Sequence, residues 1–303
     1  MSVSVQNISK YYGQQKALDG VSFEVTGGQV VGFLGPNGAG KSTMMKIITC
    51  FIPQSEGTVT VCGFDVNEQS IEVRKNVGYL PEHNPLYLEM YVKEYLAFVG
   101  GIHKLNGKLQ SRIKEMVHVT GLETEQHKRI GALSKGYRQR VGIAQALIHD
   151  PKVLILDEPT SGLDPNQLSE IRALITQIGK EKTVILSTHI MQEVEAICDR
   201  VIIINKGRIV ADDNTSVLQH KTSGEIVLAE FDRSVLQKDL LTIKGVSSAV
   251  NLKANNWKIS GDGKEDLRPL VFNWAVSNGC TVLSLQKEEQ KLEDIFQKLT
   301  QPS

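Results

Sequence analysis

The chain has 303 residues, 41% of them hydrophobic, which is ordinary for a globular protein and long enough for one large domain or two smaller ones. Lys and Arg number 34, Asp and Glu 34, so the formal net charge is +0 and composition gives no electrostatic case for a nucleic-acid partner. No apolar run approaches the roughly 20 residues of a membrane-spanning helix, and the start, Met1 to Gln6, is too short and polar for a signal peptide. The expectation is a protein soluble in its own right, with any membrane role coming through a partner.

From the start to about residue 80, strand-like and turn-like pieces alternate. A tight turn at Gly27-Gly28 precedes Val30 to Leu34, which reads as a buried strand. Then come Gly35, Pro36, Asn37, Gly38, Ala39, Gly40, Lys41, Ser42 and Thr43, which fit the phosphate-loop pattern G-x-x-x-x-G-K-[ST]. Met44 to Ile48 reads as the helix start that such a loop needs. Glycines let backbone N–H groups wrap around phosphates, and a helix N-terminus adds a favourable dipole. Lys41 can reach the β- and γ-phosphates, and the Ser42 hydroxyl can ligate Mg²⁺. Gly57 to Gly63 holds a short strand, and Cys50 and Cys62 lie nearby. With Cys198 and Cys280 they make four cysteines without metal-type spacing, expected as reduced, buried thiols.

From about 84 to 149 the pattern turns helical, with apolar residues at helix spacing over Tyr91–Val99 and Leu109–Val119. Leu133 to Arg140 precedes a helix running to His149. Ser134 and Gly136 there offer a hydroxyl and backbone N–H groups at a helix N-terminus, either an anion site or simply a capped helix. Residues 151–212 return to alternation. Val153–Leu156, Thr183–Ser187 and Val201–Ile204 are continuous apolar runs, suited to parallel strands covered on both faces. The first run ends in Asp157 and Glu158. Downstream of a phosphate loop, Asp157 is placed to hold Mg²⁺ and Glu158 to polarise an attacking water.

Around 213–224 the composition becomes polar, and a boundary is placed there: residues 1–221 form an α/β nucleotide-binding domain with a helical segment inserted at about 84–149, and 222–303 a second domain. The second domain reads as strand Glu225–Phe231, helix Val235–Leu241, two strands flanking Asn255-Asn256, helix Glu265–Ser277, strand Cys280–Leu285 and a last helix Leu292–Leu299. Most of that is the β-α-β-β-α-β order of a ferredoxin-like unit, with Trp257 and Trp274 as core.

Residues 1 to about 215 resemble the ATP-binding subunit of an ABC transporter, in the right order and spacing. Gly35–Thr43 stands at the phosphate loop, Leu133–Arg140 at the signature sequence and Val153–Glu158 at the Walker B strand. Ser161–Asp164 stands at the D-loop and His189 at the switch histidine. The resemblance implies the fold: a phosphate-loop NTPase of the ABC ATPase type, with a mixed, largely parallel sheet core and an inserted helical subdomain. The small C-terminal α+β domain, ferredoxin-like, follows it. It implies ATP and Mg²⁺ as ligands. Tyr12, with Tyr11 as the fallback, would stack on adenine. His189 would hydrogen-bond the γ-phosphate, Ser134 and Gly136 would contact nucleotide, and Ser161 and Asp164 would sit at a dimer seam.

Two departures stand out. The signature usually reads Leu-Ser-Gly-Gly-Gln; here Lys135 replaces the first Gly and Tyr137 the Gln. Glu82 stands where the family has a glutamine; it can approach Mg²⁺ or water but cannot donate as an amide does. The signature of one subunit closes on the phosphate loop of another, so the resemblance implies pairing with a second copy or a homologue. It further implies an integral-membrane permease that receives power from the pair, and a place on the inner face of the cell membrane. Tyr87 and Tyr91 are candidates for the permease contact, with core packing the rival reading. Lys135–Arg140 and the C-terminal Leu292–Phe296 resemble exporter-type subunits working with ABC-2 permeases. Tyr79–Tyr87 resembles the gliding-motility-associated ATP-binding subunits. The rival class is a soluble ABC ATPase acting on ribosomes or DNA; the chain lacks the second cassette or long coiled-coil insertion usual there.

Overall fold

The computed structural model describes residues 2–221, 226–261 and 265–288, with 293, 296, 299 and 300 beyond them. The chain divides into two units between Thr215 and Ser216, inside the polar stretch 213–224.

In the first unit, β1 (Val3–Tyr12) and β2 (Gln15–Val25) pair antiparallel around a two-residue turn at Gly13. In β2, Leu18, Val21, Phe23 and Val25 point inward and polar residues outward, the alternation of a sheet with one wet face. β3 (Val30–Leu34) is buried at all five positions and leads into α1 (Lys41–Ile48). β4 (Glu56–Val61) and β5 (Phe64–Asp65) complete a four-stranded antiparallel sheet ordered β2-β1-β4-β5. Of these strands the sequence marked only β4, between Gly57 and Gly63, and nothing in it marked a separate sheet. α2 (Ser70–Asn76) leads to β6 (Val77–Leu80).

The expected helical stretch contains α3 (Val92–Ile102), α4 (Leu109–Val119) and α5 (Lys135–Leu147). α3 starts one residue later than the spacing predicts, because the Glu94 carboxylate accepts from the Tyr91 backbone N–H at 3.2 Å and caps the turn. α5 stops two residues short of His149: Asp150 has φ +58° and Pro151 follows, so the helix cannot continue.

β7 (Val153–Asp157), α6 (Pro165–Gly179), β8 (Thr183–Thr188), α7 (Met191–Ile197), β9 (Arg200–Asn205) and β10 (Arg208–Asn214) finish the unit. The central sheet runs β10-β9-β3-β8-β7-β6, parallel throughout except for β10 at its edge. β7 and β8 are buried at every position, in keeping with their apolar centres Val153–Leu156 and Val184–Leu186. α1 contributes Met44, Met45, Ile47 and Ile48 to a core shared by both sheets, with Val5, Phe23, Phe33, Val59, Ile155 and Ile202. The start of α1, where the phosphate loop ends, is thereby clamped in position.

α8 (Thr215–Lys221) opens the second unit. It continues through β11 (Ile226–Phe231), α9 (Gln237–Leu240), β12 (Val246–Lys253), β13 (Asn256–Gly261), α10 (Leu267–Ser277) and β14 (Val282–Lys287). The sheet order β12-β13-β11-β14, antiparallel throughout, is the ferredoxin-like arrangement that the element order predicts. Trp257 is in its core with Phe231, Leu240, Ile259 and Val271; Trp274 packs against them, edge-on to Phe231. β14 begins two residues later than predicted. The Cys280 N–H closes the end of α10 on the Ala275 carbonyl at 2.8 Å, so Cys280 belongs to the helix end. The predicted Leu292–Leu299 helix lies largely outside the described residues. All four cysteines are free; Cys198 and Cys280 are buried, but Cys50 and Cys62 are only half-buried, a correction to the expectation.

Candidate functional site

The C-terminal ends of parallel strands are where open α/β sheets bind ligands, and here three neighbours, β3, β7 and β8, end side by side. β3 ends in the phosphate loop. Gly35 lies so close to the β9 end that an added Cβ would be 2.5 Å from the Ile204 carbonyl. Gly40 has φ +109°, and its Cβ would sit 2.7 Å from the Ala17 carbonyl. Neither position tolerates a side chain, so the motif glycines are required by backbone geometry before any ligand is considered. Between them the Ala39 N–H bonds the Pro36 carbonyl at 3.1 Å, and the Gly207 N–H bonds the Ala39 carbonyl at 3.0 Å. Asn37 and Gly38 face outward.

Lys41, Ser42 and Thr43 form the first turn of α1, whose leading N–H groups have no helical acceptor. Lys41 is only 6% exposed. Its ammonium donates to the Gly35 carbonyl at 2.8 Å and the Pro36 carbonyl at 3.3 Å, and lies 3.6 Å from Glu158 Oε1. A cation is thus held over the loop, where phosphates would arrive.

β7 delivers the two acids. Asp157 is buried, and its Oδ1 accepts from Ser42 Oγ at 3.2 Å and from Ser187 Oγ, its neighbour across the ladder. Glu158 follows with φ +49°, a left-handed conformation rarely adopted by a glutamate. The turn is held by the Glu158 N–H on the Ser187 carbonyl at 3.0 Å. Its carboxylate lies 2.9 Å from His189 Nδ1, just past the end of β8. Asp157 and Glu158, adjacent in sequence, therefore serve different neighbours: one the loop hydroxyl, the other Lys41 and His189.

Lys41, Ser42, Glu158 and His189 line one cleft of 610 Å³. Of the residues singled out in the sequence, Tyr12, Asn37, Gly38, Gly40, Lys41, Ser42, Thr43, Glu82, Glu158, Ser161 and His189 face it. Gly35, Pro36 and Ala39 lie beneath, as the backbone of the loop, and Asp157 lies behind Ser42. Tyr12 is 49% exposed, with the Lys10 ammonium 5.4 Å from its ring centre; Tyr11 does not line the cleft. Gln15 and Ala17 also line it, which the motifs do not signal, because β2 brings them there through pairing.

Ser134 and Gly136 do not line this cleft. Ser134 caps α5, its hydroxyl accepting from the Tyr137 N–H at 3.3 Å, so the capping reading describes this chain taken singly. Gly136 is buried against the Gln167 side chain of α6, and the Lys135 side chain lies over Gly162 of the Ser161–Asp164 loop. Asp164 caps α6 by accepting from the Asn166 and Gln167 N–H groups, both at 3.0 Å. Tyr87 and Tyr91 are exposed; Tyr87 also packs on Tyr95 and Phe98, with ring centres 5.9 and 5.6 Å away.

A loop of glycines and a lysine, an acid pair at the next strand end and a histidine beyond it define the class: a nucleotide-hydrolysing phosphate-loop ATPase. The family model for the ABC transporter matches residues 18–161. The linearmycin resistance ATP-binding protein LnrL of Bacillus subtilis is 31% identical over 304 residues, covering 98% of both chains. The bacitracin transport ATP-binding protein BcrA of Bacillus licheniformis is 32% identical over 311 residues, 98% of this chain and 96% of its own. An ATP-binding cassette solved as a dimer in a post-hydrolysis state, with ADP and Pi, matches with a TM-score of 0.63 at 27% identity over 70% of this chain and 98% of its own. The chain belongs to the ABC transporter family, as an ATP-binding, ATP-hydrolysing subunit.

Proposed function

We propose that this chain powers export through a separate membrane permease, by closing head to tail with a second ATPase subunit around two ATP molecules. The observation that carries the reading is the convergence of Lys41, Ser42, Glu158 and His189 on one cleft, with Ser134 and Gly136 outside it. A single chain can thus supply the phosphate-binding half of one site and the signature half of another. ATP is a ligand of the closed pair, and hydrolysis removes the γ-phosphate that bridges Lys41 of one subunit and Ser134 of the other. Tyr12 stacks on adenine. Ser161 and Asp164 sit at the seam.

In the cleft, Glu158 accepts the proton of the attacking water and His189 donates to the γ-phosphate. Their 2.9 Å contact keeps both groups in register, and the Lys41 ammonium takes up phosphate charge. Mg²⁺ fits the residues present. A loop hydroxyl and one buried carboxylate meet at the cleft, and Mg²⁺ sites use one or two carboxylates completed by substrate phosphates. Ser42 and Asp157, joined at 3.2 Å, would hold it with Glu82 nearby, and it would supply neutralisation of phosphate charge.

Among the described residues no helix is long and apolar enough to cross a membrane, so a place at the cytoplasmic face of a membrane would come from the permease. The exposed Tyr87 and Tyr91 serve that contact. Export is supported by relatives whose names speak of bacitracin transport and Nod factor export; neither name speaks of gliding motility. The test is a pull-down of the tagged Glu158→Gln chain, with ATP, from detergent-solubilised native membranes. Recovery of a polytopic membrane protein is the expected result; recovery of ribosomes or DNA instead would move the chain to the soluble ABC ATPases.

A further inference from the structure

Glu193, the third residue of α7, is 0% exposed and lines no part of the nucleotide cleft. Its two carboxylate oxygens take hydrogens from two different segments of chain. Thr160 Oγ1 donates to one oxygen, and Thr188 Oγ1 donates to the other at 2.7 Å. Thr160 lies two residues after Glu158; Thr188 comes immediately before His189. Both threonines are buried. Thr188 Oγ1 also accepts from the Ile190 N–H at 3.1 Å, so this hydroxyl is engaged on both sides of His189.

A buried carboxylate costs desolvation, and two neutral hydroxyls return only part of it; apolar side chains of the same volume would hold the fold as well or better. Its use at this place is geometric. Glu158 has φ +49°, a backbone state that persists in a non-glycine residue only where its surroundings hold it. The turn after Glu158 carries backbone bonds from the Ser161 N–H to Glu158 and from the Leu163 N–H to Thr160, both at 3.2 Å. Glu193 adds the cross-link from that turn to the end of β8. A single side chain thereby spans the two segments whose tips meet as the Glu158–His189 contact.

We propose that Glu193 is a positioning residue for ATP hydrolysis, which sets the spacing of Glu158 and His189 by gripping Thr160 and Thr188. The proposal rests on reading Glu158 as the base and His189 as the γ-phosphate contact. An error of about 1 Å in such a pair costs on the order of 100-fold in rate, so partial loosening is expected to cost ~10-fold or more. Nucleotide affinity rests on the phosphate loop, which Glu193 does not touch.

The test is steady-state ATPase activity of the full chain carrying Glu193→Ala, Glu193→Gln or Thr188→Val, with Glu158→Gln and His189→Ala as controls. Glu193→Ala is expected to lower kcat about tenfold with KM for ATP unchanged within about twofold. Glu193→Gln is expected to recover most of the loss, since its carbonyl accepts one hydroxyl and its amide donates to the other. Thr188→Val keeps the shape, removes one grip, and should show the same loss in kcat alone, which keeps the proposal open to refutation if Glu193→Ala fails to fold. Wild-type kcat in both Glu193→Ala and Thr188→Val, or a rise in KM matching the fall in kcat, would overturn it. If the controls lower turnover while these variants do not, the positioning role alone falls; if the controls keep full turnover, the reading beneath it falls too.

Discussion

At the scale of single residues, the proposed function makes nucleotide binding turn on Lys41. It is held by two loop carbonyls and lies within 3.6 Å of Glu158, so its ammonium needs no large movement to meet phosphate. A charge-assisted hydrogen bond of this kind contributes about 1.5–3 kcal/mol. Lys41→Ala should therefore weaken ATP binding by roughly 10- to 100-fold, measured by calorimetric titration, while the loop glycines keep the fold. The phosphate loop, the acid pair and the histidine were legible in the sequence because each is a short contiguous run whose spacing is set by one local geometry. Gln15, Ala17, Thr160, Thr188 and Glu193 were not. They reach the site, or the residues behind it, through strand pairing and helix packing between distant segments, and nothing adjacent to them in sequence announces it.

At the scale of elements, largely apolar runs predicted β7, β8 and β9 almost to the residue, because a strand covered on both faces is mostly apolar; the buried polar residues Asp157, Thr183, Ser187 and Thr188 are each hydrogen-bonded. The antiparallel sheet was less legible: β1 carries two pairs of adjacent exposed residues, Gln6-Asn7 and Tyr11-Tyr12, and register shifts, which blur its alternation. Helix ends moved by one or two residues wherever a cap or a positive φ decided them, as at Glu94 and Asp150. His149, just past α5, lies 3.0 Å from the Val77 carbonyl of β6 through Nε2 and stacks on His103 at the end of α3, with ring centres 3.9 Å apart. Burial first, then the neighbouring His103, pushes His149 down to about 4. The unfolded chain, with an ordinary value of ~6.5, takes up this proton first. The stability tied to neutral His149 is therefore complete above pH ~6.5 and lost progressively as pH falls toward 4, about 3 kcal/mol in all. Urea midpoints should fall over that range, and His149→Phe, which keeps the stacking, should flatten that part of the fall; an unchanged slope would contradict the assignment.

The whole molecule is two units with separate cores, and the ferredoxin-like one was predicted by its order of elements. All residues of the nucleotide cleft precede Thr215. Removing residues 222–303 should thus leave a folded chain that binds ATP with unchanged affinity, seen as a cooperative melt raised by nucleotide. Loss of binding would mean that the second unit supports the first. In the proposed cycle ATP joins two copies, and Glu158 limits how long they stay joined. The most direct measurement is the molar mass of Glu158→Gln in solution, by size-exclusion chromatography with light scattering, with and without ATP and Mg²⁺. The expected result is monomer without nucleotide and a stable dimer with it, while the wild-type chain returns to monomer as ATP is consumed. A Glu158→Gln chain that binds ATP yet stays monomeric would contradict the account.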